Sequence, residues 1–194
     1  MAGAKGTETR IIHLTRPSIT PIDEKEEVTM IATDTPGFQI KSATEPDVSV
    51  ILSFVKKLAH YERLSHEVVA TEKLLQETLF GERRTAEVAI GYLETKPVGF
   101  VLFFHNYSTF LGKPGLYIED LFVDEDYRRR GYGRALLLHV ARLAKERDCG
   151  RLEWSVLDWN QPAINFYKKL GALPMSEWTV FRVAGKSLDE LAGQ

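Results

Sequence analysis

Two adjacent carboxylates, Glu119 and Asp120, interrupt an otherwise apolar run at residues 116–123. Such a run predicts a strand buried on both faces, where an unpaired carboxylate is costly. Consecutive side chains of a regular strand point to opposite faces, so only one can face a given pocket unless a bulge redirects the other. The pair therefore indicates either acid–base chemistry or a structural ion pair with an arginine, and for Asp120 both interpretations stay open.

A second group combines arginines with glycines in the order Arg128, Arg129, Arg130, Gly131, Tyr132, Gly133, Arg134. It follows one predicted strand and opens a predicted helix, whose N-terminus presents free N–H groups and the positive end of the dipole. Glycine allows close approach of the backbone, and arginine adds charge-assisted hydrogen bonds. The group predicts a pyrophosphate site rather than a P-loop or a dinucleotide fingerprint, the alternative being a solvated basic turn.

The third candidate is Tyr167, on a helix predicted to start after Asn160 and to stop at Gly171. With an ordinary pKa near 10, a tyrosine is protonated at neutral pH and can donate a proton to a leaving group. The alternative for a helical tyrosine is a core position with a satisfied hydroxyl.

The spacing of hydrophobic residues and the residues typical of turns predict the helices and strands that position these groups. Thr44 and Asp47 form a capping pair for a first helix that ends near residues 61–62. Further helices are predicted at 71–80, 131–147 and 161–170, strands at 38–43, 86–93, 98–105, 116–123, 151–157 and 178–183, and a loop at 106–115. This order predicts a mixed α/β fold with a central twisted sheet of about six to seven strands flanked by helices.

Composition sets broad limits on function. The chain has 194 residues, 44% of them hydrophobic and 27% charged, and a net charge of −2, so nothing favours nucleic acid or an anionic membrane. One cysteine and five histidines without ligand spacing indicate no metal. We expect a cytoplasmic protein with a flexible extension at residues 1–36 and one catalytic domain at residues 37–194.

Taken in order, these motifs resemble the GNAT superfamily of N-acetyltransferases over about residues 38–183. Within it the chain is similar to the diamine acetyltransferases, and more to the thialysine N-epsilon-acetyltransferase branch than to the spermidine/spermine branch. The segments that carry this narrower likeness begin at Tyr61, Tyr107, Tyr117 and Val156. The spermidine branch has an acidic residue and a tryptophan where this chain reads Ser-Thr-Phe at 108–110, so a polyamine is not specifically implied.

The resemblance implies acetyl-coenzyme A as co-substrate, a small amine as acceptor and a homodimer. It implies that Tyr167 is the general acid, and we assign the second catalytic role, acceptance of the amine proton, to Glu119. The cofactor would be bound by Leu121, Phe122, Val123, Arg128, Arg129, Arg130, Gly131, Tyr132, Gly133, Arg134, Asn160, Gln161, Pro162, Ala163 and Tyr167. The amine would face Tyr61, Glu62, Glu119, Glu153, Trp154 and Ser155.

Solution chemistry fits those roles. A primary amine with a pKa near 10.4 is deprotonated in only about one molecule per thousand at pH 7, so its attack on a thioester needs a proton acceptor. We expect partial burial of Glu119 to raise its pKa toward the working range. Two alternatives remain: an acetyltransferase of the same fold that acts on protein amines, and a non-catalytic acyl-coenzyme A-binding module.

Overall fold

Residues 30–194 are described by a computed structural model, and their strands form one six-stranded sheet. The strands lie in chain order, β1 to β6, and every neighbouring pair is antiparallel except β5 and β6, which are parallel. The mixed sheet that the sequence predicted is therefore confirmed. The strands are β1 Ile31–Ala32, β2 Phe38–Ser42, β3 Glu87–Leu93, β4 Lys96–Ser108, β5 Lys113–Val123 and β6 Leu152–Trp154.

Helices flank the sheet. The predicted capping pair is present before α1, where the Thr44 N–H donates to the Asp47 carboxylate at 2.8 Å. The Thr71 hydroxyl caps α2, a role that was not predicted from the sequence. The helices are α1 Val48–Tyr61, α2 Glu72–Phe80, α3 Tyr132–Glu146, α4 Gln161–Lys169 and α5 Lys186–Ala192, with short 3-10 turns at Glu45–Asp47, Ser65–Glu67 and Glu125–Tyr127.

A hydrophobic cluster lies on each face of the sheet. The first packs α3 through Leu136 and Val140 against strand residues such as Val101 and Ile118, all nearly inaccessible to solvent. The second packs α1 and α2 on the opposite face, where the rings of Phe54 and Phe100 stack 5.5 Å apart. Burying each such side chain contributes on the order of 2 kcal/mol. These two clusters fix α1 and α3 on opposite sides of β5.

The loop predicted at 106–115 is wrong, because the β4–β5 hairpin is longer than its hydrophobic pattern indicated. β4 continues to Ser108 and β5 begins at Lys113, with Asn106 opposite Gly115. Backbone pairing between adjacent antiparallel strands does not require apolar side chains. The hydrophobic pattern therefore did not predict the polar end of the hairpin as strand.

The last predicted strand, at 178–183, is also not formed. Trp178 and Phe181 in this stretch are 70% and 89% exposed. A β-propensity pattern becomes a strand only where an edge is available to pair with it, and this stretch pairs with none in the described part of the chain. The predicted strand at 151–157 shrinks to Leu152–Trp154, and α5 was not predicted.

The predicted N-terminal extension is described only from residue 30 onward. Ile31 pairs with Ile40 and Ala32 with Gln39, so the folded part of the chain begins before residue 37. The rest of that prediction, at residues 1–29, lies outside the described residues. None of the helices between residues 30 and 194 combines the length and apolar character needed to cross a membrane.

Candidate active site

β5 carries a β-bulge at its paired carboxylates. Phe103 on β4 is opposite Ile118 on β5, but Leu102, the residue before Phe103, is opposite Asp120. Glu119 is therefore the extra residue, without a direct partner on β4. The sequence left open whether a bulge redirects one of the two carboxylates, and the structure contains that bulge.

The bulge shifts the alternation of β5 by one residue. Ile118 belongs to the cluster under α3, whereas Phe122 belongs to the cluster under α1. Leu102, the partner of Asp120, also packs against the cluster under α1. Asp120 thus shares the α1 face with Phe122, and β5 aims this carboxylate at the end of α1, where Glu62 lies.

Electrostatics distinguish the two carboxylates. Burial, followed by the charges of Glu119 and Glu62, raises the pKa of Asp120 to about 6. No salt bridge within residues 30–194 involves Asp120, so the ion-pair interpretation is not supported there. Glu119 is exposed, and the partial burial expected for it is found at Asp120 instead. Burial also raises the pKa of Glu62.

β5 and β6 separate at the bulge. Their parallel pairing covers only three residue pairs and ends where Ile118 meets Trp154, while β5 stays paired with β4 as far as Val123. Within the described residues, the β6 side of β5 has no strand partner beyond Ile118. The gap leaves residues 121–123 of β5 without a strand partner on this side, as a ligand that hydrogen-bonds to an open strand edge requires, although the Val123 carbonyl already accepts from Arg128.

The glycine–arginine turn lies at one end of this gap. Arg129 and Gly131 have φ values of 63° and 88°, a local left-handed backbone of the kind that turns N–H groups toward an anion. The first bond of α3 is donated by Ala135 to the Gly131 carbonyl at 2.9 Å, so the preceding amides at 132–134 have no carbonyl partner in their own helix. The Tyr132 ring stacks on Phe38 at 4.4 Å and fixes this helix start against β2.

The arginines of the turn do not have equivalent surroundings. Arg128 donates from Nε to the Val123 carbonyl at 2.9 Å, and its guanidinium lies 4.2 Å from the ring centroid of Tyr61. Arg130 donates to the Asp126 carbonyl at 3.2 Å. Arg130 is exposed, like Arg129 and Arg134, but part of its hydrogen-bonding capacity is used in that bond. The backbone amides and the side chains of Arg129 and Arg134 are therefore the best-placed anion donors, while Arg128 serves to brace the turn.

Tyr167 lies on the other side of the gap, on α4. Its ring packs 4.9 Å from Trp154, the last residue of β6, and 5.2 Å from Phe166. Burial raises the pKa of the Tyr167 hydroxyl to about 12, so the group is protonated throughout the neutral range. The N-cap of this helix is Asn160, which accepts from the Ala163 N–H at 3.3 Å. Gln161 and Pro162 occupy the first turn beside it.

Tyr61, the last residue of α1, lies between the glycine–arginine turn and the start of α4. Its hydroxyl donates to Asn160 Oδ1 at 3.3 Å, and its ring lies 5.8 Å from that of Trp159. The predicted substrate residues Tyr61 and Glu62 thus come next to Asp120 and to the start of α4, although 99 residues separate Tyr61 from Asn160.

The remaining predicted substrate residues have partners of their own. Glu153 forms an ion pair with Arg151 at 2.9 Å and accepts from Asn106 at 2.8 Å, so its charge is compensated. The Ser155 hydroxyl lies 2.6 Å from that of Tyr117.

Sequence reasoning missed the stacking of Arg128 on Tyr61 and the pairing of Tyr117 with Ser155. Each joins residues far apart in sequence, and no local pattern indicates either contact. In the part of the chain that the structure describes, no three histidine, cysteine or acidic side chains are grouped so that they could hold a metal ion.

Comparison with known proteins gives an independent view of this arrangement. A family model described as "Acetyltransferase (GNAT) family" matches residues 55–172, which include the bulge, the turn and α4. L-ornithine N5-acetyltransferase NATA1 of Arabidopsis thaliana is 36% identical over 198 residues, covering 79% of this chain and 87% of that protein. Thialysine N-epsilon-acetyltransferase of Bos taurus is 36% identical over 166 residues, covering 80% and 97% of the two chains.

A solved structure agrees with the fold. An integron cassette protein from the mobile metagenome of V. cholerae superposes with a TM-score of 0.69 at 26% sequence identity. The match covers 81% of this chain and 99% of that chain.

Proposed function

Since the chain belongs to the acetyltransferase (GNAT) family, we propose that it transfers an acetyl group from acetyl-coenzyme A to a primary amine of a small cationic substrate. The observation that carries this proposal is the gap between β5 and β6. One end of the gap has the glycine–arginine turn with its free backbone amides, and its sides have an uncompensated buried carboxylate and a protonated tyrosine.

The gap suits an extended pantetheine arm with a diphosphate at one end. The open edge of β5 at residues 121–123 offers backbone hydrogen bonds to amides of the arm. The amides from Arg129 to Arg134 suit the diphosphate. The N-terminal turn of α4, from Asn160 to Ala163, borders the end of the gap where the thioester would react. Acetyl-coenzyme A supplies the activated acyl group in this arrangement.

Three carboxylates near the end of α1 support a cationic acceptor. Burial raises the pKa of Asp120 most, and the neighbouring charges of Glu119 and Glu62 raise it further, so these three carboxylates repel one another. An ammonium group beside them would relieve this repulsion and would be stabilised in return. The names of the ornithine and thialysine relatives describe amino acids with a side-chain amine, which is the substrate type that we propose, along with diamines.

The chemistry then requires two proton transfers within a ternary complex. The amine nitrogen attacks the acetyl carbonyl carbon, and its proton passes to the Glu119–Asp120 pair directly or through water. Asp120 suits proton acceptance because a pKa of about 6 leaves it ionised at pH 7 and close to the working range. As the carbon–sulfur bond breaks, Tyr167 donates its hydroxyl proton to the departing sulfur.

The decisive experiment measures coenzyme A release with a panel of amines: ornithine, lysine, thialysine, putrescine, spermidine and a histone-tail peptide. We expect turnover with the small amino acids or diamines and little with the peptide. Preference for the peptide would instead establish a protein acetyltransferase. Saturable acetyl-coenzyme A binding with no thiol release for any amine would establish a non-catalytic binding module.

We also propose that the protein forms a homodimer, as its resemblance to the diamine acetyltransferases implies. Trp178 and Phe181 are 70% and 89% exposed, and aromatic side chains of this size remove roughly 150–250 Å² each when buried. Light scattering after size exclusion tests this: the full chain should have the mass of two chains, and Trp178→Ser with Phe181→Ser should shift it toward one. A monomeric wild-type protein would refute the dimer.

A further inference from the structure

Tyr61, the last residue of α1, lies where three separate elements end. On one side the guanidinium of Arg128 stacks on the Tyr61 ring, 4.2 Å from the ring centroid. On the other side its hydroxyl donates to Asn160 Oδ1 at 3.3 Å. One side chain therefore touches both the turn that follows β5 and the residue that starts α4.

Both partners of Tyr61 are anchored in turn. Arg128 is held by its bond to the Val123 carbonyl at the end of β5. Asn160 uses the same Oδ1 atom to accept from Ala163 N–H in the first turn of α4. The contacts form a continuous chain from the end of β5, through Arg128 and Tyr61, to the amides of α4.

This chain bridges a place where the sheet itself gives no support. β6 leaves β5 at Trp154, and α4 begins only at Gln161. The start of α4 therefore has no strand pairing to fix its distance from the turn. Tyr167, further along α4, packs on Trp154, so it is the first turn of this helix that depends on other side-chain contacts for its position at the gap.

We infer that Tyr61 is a positioning residue, which holds the start of α4, and with it Tyr167, at a fixed distance from the glycine–arginine turn. The expected effect of Tyr61 on turnover rests on the proposed function. The role of Tyr61 in holding the start of α4 does not depend on that function. It also differs from the direct contact with the amine that the resemblance implies for Tyr61, because here the hydroxyl acts on Asn160.

The kinetic test uses Tyr61→Phe, which removes only the hydroxyl and keeps the ring beneath Arg128. Tyr92→Phe is the matched control, since the Tyr92 hydroxyl is also partly buried and lies 3.5 Å from a side-chain acceptor, on Asp47. We expect Tyr61→Phe to lower kcat about tenfold, because small misplacements of reacting groups are costly. The KM values for the amine and acetyl-coenzyme A should change less than about twofold, and Tyr92→Phe should behave as wild type.

A double-mutant cycle separates positioning from direct binding. If Tyr61 acts through Tyr167, adding Tyr61→Phe to Tyr167→Phe should cause little further loss of kcat. A full additional tenfold loss, or a loss that appears in the amine KM, would overturn the inference in favour of direct contact with the amine.

Hydrogen–deuterium exchange tests the same inference without activity. The amides of the first turn of α4, Ala163 above all, should exchange several-fold faster in Tyr61→Phe than in wild type and in Tyr92→Phe. Unchanged exchange there would refute the positioning role. If wild type acetylates no amine but exchange still increases, the proposed function fails while the role of Tyr61 in holding α4 stands.

Discussion

Glu119 and Asp120 are neighbours in β5, yet the bulge leaves Glu119 unpaired and exposed while Asp120 lies opposite Leu102 and is largely removed from water. The two carboxylates therefore have different electrostatic roles. Asp120 resists ionisation, and Glu119 contributes part of the negative potential that makes it do so.

The first prediction concerns stability. The folded state keeps a proton on Asp120 up to a pH of about 6, whereas an unfolded chain releases it near 3.8. The free energy of unfolding therefore falls as pH rises from about 4 to about 6, because folding then keeps a proton that the unfolded chain has released. At pH 7 Asp120 is ionised in both states, and the full destabilisation is present. Asp120→Asn should raise the free energy of unfolding at pH 7 by about 3 kcal/mol, and the gain should vanish near pH 4.

Thermal denaturation of both proteins across this pH range checks that prediction. Glu119→Gln is the matched control and should give a smaller gain, because the exposed Glu119 loses little hydration on folding. A destabilised Asp120→Asn protein at pH 7 would show that the carboxylate has a stabilising partner.

A second prediction concerns the pH dependence of turnover. If Asp120 accepts the amine proton, kcat/KM, which reports ionisations of the free enzyme, should fall as pH drops through about 6. Asp120→Asn should lower kcat by about 100-fold or more and remove this limb from the profile. If Glu119→Gln removes the limb and Asp120→Asn does not, Glu119 is the acceptor, as we expected from the sequence.

Tyr167→Phe should lower kcat about 100-fold or more and leave the Kd of acetyl-coenzyme A within about twofold, because only a proton donor is removed. The pKa of about 12 also means that Tyr167 itself produces no alkaline limb below about pH 10. Stopped-flow turnover and a tryptophan-fluorescence titration provide the two measurements. An unchanged kcat would remove Tyr167 from the chemistry.

The glycines of the turn should respond differently to alanine. Gly131 has a φ of 88°, so Gly131→Ala should cost about 1–2 kcal/mol of stability even without ligand. At Gly133 a Cβ would lie 3.7 Å from Val123, an ordinary contact, so Gly133→Ala should fold as stably as wild type. It should nevertheless weaken acetyl-coenzyme A binding if the backbone there approaches the diphosphate.

Calorimetry checks both substitutions, by unfolding without ligand and by titration with acetyl-coenzyme A. Equal stability of the two variants would show that the left-handed conformation at Gly131 is not required. Unaltered affinity in Gly133→Ala would move the diphosphate away from that residue.

The sequence alone was sufficient for the features that depend on local patterns. Capping by Thr44 and Asn160, the helix that opens at the glycine–arginine turn, the mixed sheet and the family all follow from residues close in sequence. Such signals are local because helix ends and tight turns are satisfied by backbone and side chains a few residues apart.

Tertiary structure alone decided which groups meet. The bulge arises in the pairing of β4 with β5, so only the ladder could show that Asp120, rather than Glu119, is buried beside Glu62. Likewise Arg128 stacks on Tyr61, and Tyr61 reaches Asn160, across long stretches of chain. Residues 178–183 have a strand-like pattern but pair with no edge within the described chain. Burial, pKa and strand pairing depend on neighbours from other elements, and a linear pattern does not contain those neighbours.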